Sequence, residues 1–466
     1  MVVDTRQEAT RPEPATRRRG IRADLIAGAV AGCLVVAASL VGTYLDNVDE
    51  TRVGAGAPPL FAAWMPHYAW GSLYAVLIAL AVVSFGPVLA ERLRWGVLLF
   101  AGYVGAVGFT IALAMVDGWR TGLAERLIAF TEYLHDVPTI TDIPRMLAEF
   151  TSRIPLDSPA SWTTHVAGHP PGATLLFVWL DRIGLGGGGA AAIACVLLGC
   201  LAAVAVPVTL RAVASAELAR ASVPFLVLFP GAVWIGASGD AAFTGISSAG
   251  IAVLAVGAKG LAGGWRVLPA GAALAGGVLL GYAVFMSYGL VLLAPLVVAV
   301  VALCRGWRAL LPALVGAVAV LAVFTAAGFW WLDGYHALIE RYYLGLGATR
   351  SYAYWVWADL ACLVFSVGPV LAPGVRRAVL TGWRALRSRS RSVPLGVAVL
   401  VLASGAAVAF ADISGLSKAE VERIWLPFAV WLVAGATLLP PQSRRWWLAG
   451  QALTALLVNH LLLTSW

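Results

Sequence analysis

Asp117 stands where an apolar stretch gives way to polar sequence, in Asp117-Gly118-Trp119-Arg120. A carboxylate at such a boundary is partly desolvated, which raises its proton affinity and suits it to general-base work. Asp240 marks a second boundary, in Ser238-Gly239-Asp240 between two apolar runs. It can orient a hydroxyl, hold a divalent cation, or simply serve a turn. Arg423 lies in Glu422-Arg423-Ile424-Trp425-Leu426-Pro427. Its guanidinium can grip an anion with two parallel hydrogen bonds, or snorkel at a helix end. His165 and His169 have the i, i+4 spacing of a metal pair, but Pro170 and Pro171 follow at once and no third ligand is evident. A metal therefore stays unassigned. Asp46, Asp49 and Glu50 read as a solvated acidic face, with an alternative base among them.

Such residues must be held by membrane helices. The 466-residue chain is 60% hydrophobic and only 12% charged, with a mean hydropathy of +0.85. Soluble domains carry about 25% charged residues, so a water-soluble enzyme is excluded. Disorder is excluded on the same grounds. The five cysteines all sit in apolar stretches, so no disulfide framework is indicated. The apolar runs predict an all-α polytopic membrane protein of about 13 transmembrane helices, near 25–44, 68–90, 97–116, 188–210, 222–238, 241–258, 268–286, 287–303, 309–331, 354–372, 393–411, 424–440 and 446–464.

Charge sets the orientation. Arg17, Arg18, Arg19 and Arg22 precede the first run, which places the N-terminus in the cytoplasm. Pro171–Gly187 is short and interrupted by Asp181 and Arg182. It is expected to lie on the outer surface without spanning, because otherwise the later basic loops, Arg376–Arg391 among them, would face outward. The C-terminus then falls outside a multi-pass cytoplasmic (plasma) membrane protein. The net charge of +8 becomes a topology signal, and no nucleic-acid partner is expected. The chain divides into a basic tail 1–24, a transmembrane hairpin 25–96, a module 97–331 with outer loop 117–187, and a C-terminal region 332–466 with outer loops 332–353 and 412–423. Within the long loop, Leu123, Leu127, Phe130 and Leu134 are spaced for one face of an interfacial helix, with Glu125, Arg126 and Glu132 elsewhere on the turn. Asp142 can cap a second short helix containing Met146, Leu147 and Phe150. Apart from Asp359 the spans hold almost no ionisable residue, unlike ion-coupled carriers. There is no Gly-rich phosphate loop for an ATP motor.

An acid just after an outward helix, a long loop of juxtamembrane helices, and His169-Pro170-Pro171 leading into another come in that order. Asp240 then tops the next hairpin, and Arg423-Ile424-Trp425-Leu426-Pro427 opens a late helix. Over residues 97–440 this order resembles the membrane-embedded class C (GT-C) glycosyltransferases, nearest to actinobacterial cell-envelope branches. The Asp-Glu pair common there is Asp117-Gly118 here. The resemblance implies an enzyme that moves a sugar from a polyprenyl-phosphate donor to a cell-envelope glycan or glycolipid acceptor, outside the membrane. It implies Asp117 as catalytic base and Asp240 as a second catalytic acid. Arg423 would bind the donor phosphate, with Arg350, Arg341 and His336 in reserve, and replacing it is expected to spare the fold. His165, His169, Glu422 and Tyr335 would be substrate-loop residues, and a divalent cation could hold the departing phosphate. The aromatics of 331–354 suit stacking on a sugar, or an interfacial belt. Two other classes stay open: a lipid or sugar transporter, and a non-catalytic envelope assembly factor.

Overall fold

The computed structural model describes residues 14–49, 53–388 and 392–465. Glu50 and the last residues of the Arg376–Arg391 stretch lie outside them. Among the described residues, eight helices are long and apolar enough to cross a membrane: α1 (Pro14–Val48), α2 (Trp70–Arg92), α3 (Trp95–Ala114), α4 (Gly188–Val213), α5 (Gly239–Leu261), α6 (Val267–Val284), α7 (Trp307–Ala326) and α8 (Pro394–Ser414). In hydrocarbon a helix satisfies every backbone group within its own segment, so long apolar runs fold this way. The chain is a polytopic helical protein, and its surroundings are a lipid bilayer.

The other five predicted spans do not by themselves meet that standard of length and hydropathy. Ala216–Val227 is separated from Ala232–Ile235 at Pro230-Gly231. Tyr288–Cys304 and Leu426–Leu438 are short apolar helices. Tyr352–Val367 turns by 98° into Leu371–Ser388. Pro441–Leu461 opens with Arg444 and Arg445, which dilute its hydropathy. For Leu426–Leu438 a physical reason is visible: residues 426–437 are all buried. A helix wrapped by protein does not meet lipid and need not match the bilayer's length.

α5 is the hub, packing against α4, α6, Tyr288–Cys304 and Leu426–Leu432. Small residues permit this close approach; a Cβ at Gly245 would run into the Leu198 carbonyl of α4. The bundle has two distinct ends. At one, Asp24 of α1 meets Arg376 and Arg377 at 2.9 and 2.6 Å, and Arg220 donates to the carbonyls of Ala90 and Leu93. At the other, Asn459 donates to Leu113 O. There β1 (Ala62–Trp64) pairs antiparallel with β2 (Leu462–Thr464), Ala63 opposite Leu463. The two basic stretches around Arg22 and Arg376 thus share one end, and Asp117 lies at the other.

Segment 117–187 covers that second end. Pro171–Arg182 has 12 residues, about 18 Å at 1.5 Å per residue, against roughly 30 Å of hydrocarbon. Both of its ends touch the same face: Tyr282 donates to Gly172 O, and Arg182 to Ile140 O and Thr141 O. The short helix Ile143–Glu149 forms as expected, with Asp142 accepting from Arg145 N at 3.0 Å. The predicted amphipathic helix through Leu134 does not form. It is divided into Arg120–Ala124, Arg126–Ile128 and Tyr133–Asp136. Gly122 packs directly on the Ala114 carbonyl, and Arg126 and Glu132 are buried rather than solvated while Phe130 is exposed. Polar partners inside the loop outweighed the apolar stripe.

Candidate functional site

α5 begins at Gly239, so its first turn presents Asp240 at the covered end of the bundle. The segment Val421–Ile424 brings Arg423 to it: Nη1 donates to Asp240 Oδ2 at 2.6 Å. Arg423 Nη2 donates to Glu420 Oε2 at 2.7 Å and meets His165 Nε2 at 2.8 Å. A guanidinium has no acceptor, so Nε2 of His165 accepts and its Nδ1 carries the proton. Nδ1 donates to Thr131 O at 2.9 Å, with Glu132 Oε1 at 3.2 Å. These neighbours fix the orientation of the His165 ring. Asp240, Glu132, His165 and Arg423 are all buried, which makes this cluster expensive to leave unpaired.

His169 lies alongside, its ring stacked on His165 with centroids 6.4 Å apart. Its Nδ1 is 2.8 Å from His165 O and 2.9 Å from the Tyr133 hydroxyl. Burial pushes the His169 pKa down to about 4, against the pull of Asp240. Pro170 and Pro171 end one short helix and start the next, and Pro171 opens the Pro171–Arg182 helix as expected of a first-turn proline.

The peptide before Arg423 is strained. Ala419 and Glu420 have φ of 68° and 61°, consecutive left-handed residues that are not glycine. Such residues cost of order 1–3 kcal/mol each and cluster at functional sites. The strain sets Glu420 between two guanidinia, Arg423 and Arg350, the latter at 3.1 Å. Burial alone would raise the Glu420 carboxyl, but Arg423 and Arg350 outweigh it and hold it at about 2. Around Arg423 the balance is similar: burial pulls its pKa down, and Asp240, Glu420 and Glu132 together raise it. Glu422 faces another way, accepting from Phe61 N at 3.1 Å. Its second oxygen is buried without a hydrogen-bond partner, and burial lifts its pKa to about 7.

Asp117 forms a separate cluster. His67 Nε2 lies 2.5 Å from Oδ1, and Arg126 Nη2 donates to Oδ2 at 2.9 Å. Arg126 also donates to Thr464 O, so Asp117 joins the first loop, the long loop and the C-terminal strand. Arg341 ties Trp331–Leu344 to the long loop through Ile154 O, Ser161 Oγ and Trp162 O. Tyr335 stacks on Trp331 at 5.5 Å, and His336 is exposed on the same helix. The structure thus gathers Asp240, Arg423, His165 and His169, with Arg350 one carboxylate away; Asp117, Arg341, His336 and Tyr335 are engaged elsewhere. Asp46 and Asp49 are half-buried. Sequence reading missed Glu132, Tyr133, Glu420, Arg126 and His67. Glu420 carries one usable signal: it belongs to Lys418-Ala419-Glu420-Val421-Glu422-Arg423, four charges in six positions between apolar runs.

As for a divalent cation, the donor set does not fit one. Among the described residues no group of three or more His, Cys, Asp or Glu side chains could hold a metal ion, and a guanidinium already takes the Asp240 oxygen. Set beside protein-family models and curated proteins, the chain matches none.

Proposed function

We propose that the chain is a GT-C-type membrane glycosyltransferase, moving a sugar from a polyprenyl-phosphate donor to a glycan or glycolipid acceptor on the outer face of the cytoplasmic membrane. The observation that carries this reading is the buried meeting of Arg423 with Asp240 and His165, residues 183 and 258 positions away. It lies at the end roofed by the short helices of 117–187, in the order of motifs that suggested the family. In this reading the other five helical segments complete thirteen passes, the shared basic end is cytoplasmic, and the site faces out.

The chemistry follows from the residues. The acceptor hydroxyl attacks the anomeric carbon and gives its proton to a carboxylate, while the bond from that carbon to the phosphate oxygen breaks. The departing polyprenyl phosphate keeps the electron pair, and its charge needs a guanidinium. Arg423 supplies it by exchanging Glu420 for phosphate, while Arg350 keeps its hold on Glu420. Asp240, held by Arg423, orients the acceptor. Asp117 is the base, its two oxygens positioned by His67 and Arg126.

The test is sugar transfer by purified protein in nanodiscs, with labelled polyprenyl-phosphate sugars as donors. Asp117→Asn is expected to lose ~10²–10⁴-fold in single-turnover rate while still binding donor. Donor crossing a liposome without transfer would favour a transporter. Full complementation by both Asp117→Asn and Asp240→Asn would favour an assembly factor.

A further inference from the structure

At the opposite end of the bundle, the helix Leu371–Ser388 lies across the chain's direction, turned by 98° from Tyr352–Val367. Its three faces differ in kind. Pro373, Gly374 and Ala378 are buried against the protein. Val379, Trp383 and Leu386, spaced i, i+4 and i+7, are 50%, 53% and 75% exposed. Among the described residues nothing covers this apolar stripe, as expected of a helix resting in a membrane interface. Between the two faces run Arg376, Arg377, Arg384 and Arg387.

The arginines are not equivalent. Arg376 and Arg377 both close on the single buried carboxylate of Asp24 in α1. Arg384 and Arg387 are exposed, and Arg387 lies over the Trp383 ring at 4.9 Å. α1 reaches the same corner, where Gly20 packs beside the Arg377 guanidinium and Arg18, Arg19 and Arg22 are exposed. Seven arginines thus meet one aspartate in 18–24 and 371–388, and that aspartate is already spent on two of them.

We infer that this corner is a binding site for an anionic glycerophospholipid of the surrounding leaflet, its headgroup held by Arg384 and Arg387 and its chains lying along Val379, Trp383 and Leu386. Charge complementarity selects the headgroup, and the adjacent apolar stripe requires that the anion arrive with hydrocarbon attached. The site is independent of the sugar-transfer reading, being at the other end of the molecule.

The full chain, reconstituted with equal phosphatidylglycerol and phosphatidylcholine and then extracted, should retain phosphatidylglycerol preferentially by native mass spectrometry. One cation near an anionic surface is worth ~1 kcal/mol, about 5-fold, so R384Q/R387Q should reduce the preference by roughly 25-fold. Both side chains are exposed, so melting should not change. R384K/R387K should restore most of the preference. Equal retention of the two lipids by the wild type, or a preference that survives R384Q/R387Q, would overturn the inference.

Discussion

Replacing Arg423 by alanine should unfold much of the protein before it tests any chemistry. The guanidinium bridges Asp240 at 2.6 Å and Glu420 at 2.7 Å, and its own side chain is 5% exposed. Removing one partner from a buried ion pair costs ~3–5 kcal/mol, because the remaining charge is left desolvated. Here two carboxylates lose their partner, although Arg350 still holds Glu420. The expected loss is therefore near 4 kcal/mol by the same range, a large part of the ~5–15 kcal/mol that holds a typical domain together. Thermal or denaturant unfolding in detergent measures it, with Asp240→Asn/Arg423→Gln as the second variant. Because that pair removes both charges together, it should recover ~1–3 kcal/mol of the loss as coupling energy. An Arg423→Ala protein that melts like the wild type would refute the reasoning, since it would mean that water already solvates Asp240. The sequence alone suggested a removable side chain at a helix mouth; the fold makes it a structural cation as well. Arg423→Lys, which keeps the charge but not the fork, is the cleaner probe of phosphate recognition.

Other consequences follow from the same cluster. Glu420 has a folded pKa of about 2, below its ordinary value, so its stabilisation is complete above that ordinary value and is lost as pH falls toward 2; Glu420→Gln should remove up to one proton's worth of slope from the stability curve below pH 5. Glu422 has the opposite sign. With its pKa lifted to about 7, the native state holds a proton that the unfolded chain releases, so stability should decline as pH rises from about 4.5 to 7, and Glu422→Gln should melt higher than wild type at pH 8. Ala419→Gly should be neutral or stabilising in a melting assay, because the left-handed φ of 68° is strained for alanine and free for glycine; a loss of 1 kcal/mol or more would contradict the strain argument. Cysteines placed at 181 and 384 should react with impermeant thiol reagents from opposite sides of the membrane, since Arg182 reaches the long loop while the Leu371–Ser388 helix meets Asp24.

Helix content was legible because hydrocarbon leaves the backbone no alternative, and each of the eight candidate spans overlaps an expected run. Hydropathy could not distinguish a helix that meets lipid from one that meets protein. Leu426–Leu438 is as apolar as a span and is buried on every side. The site was legible where a residue stood alone against an apolar background. Asp240 and Arg423 could be singled out for that reason, although nothing in the sequence paired them across 183 positions. Glu132 and Arg126 were hidden by the opposite circumstance. They stood among apolar residues at helical spacing, so they read as the wet face of an amphipathic helix. In the fold Arg126 turns inward to Asp117 and Glu132 to His165. Periodicity reports where apolar groups can go, but it carries no information about a polar group that finds a charged partner from another segment. That partnership also decides what the carboxylates can do. Asp117 has one oxygen held by His67 and the other by Arg126, whereas Asp240 shares Arg423 with Glu420 and His165. The second arrangement can rearrange around an incoming anion by exchanging one acceptor for another, which is why the proposed reaction assigns donor recognition to Arg423 and proton acceptance to Asp117.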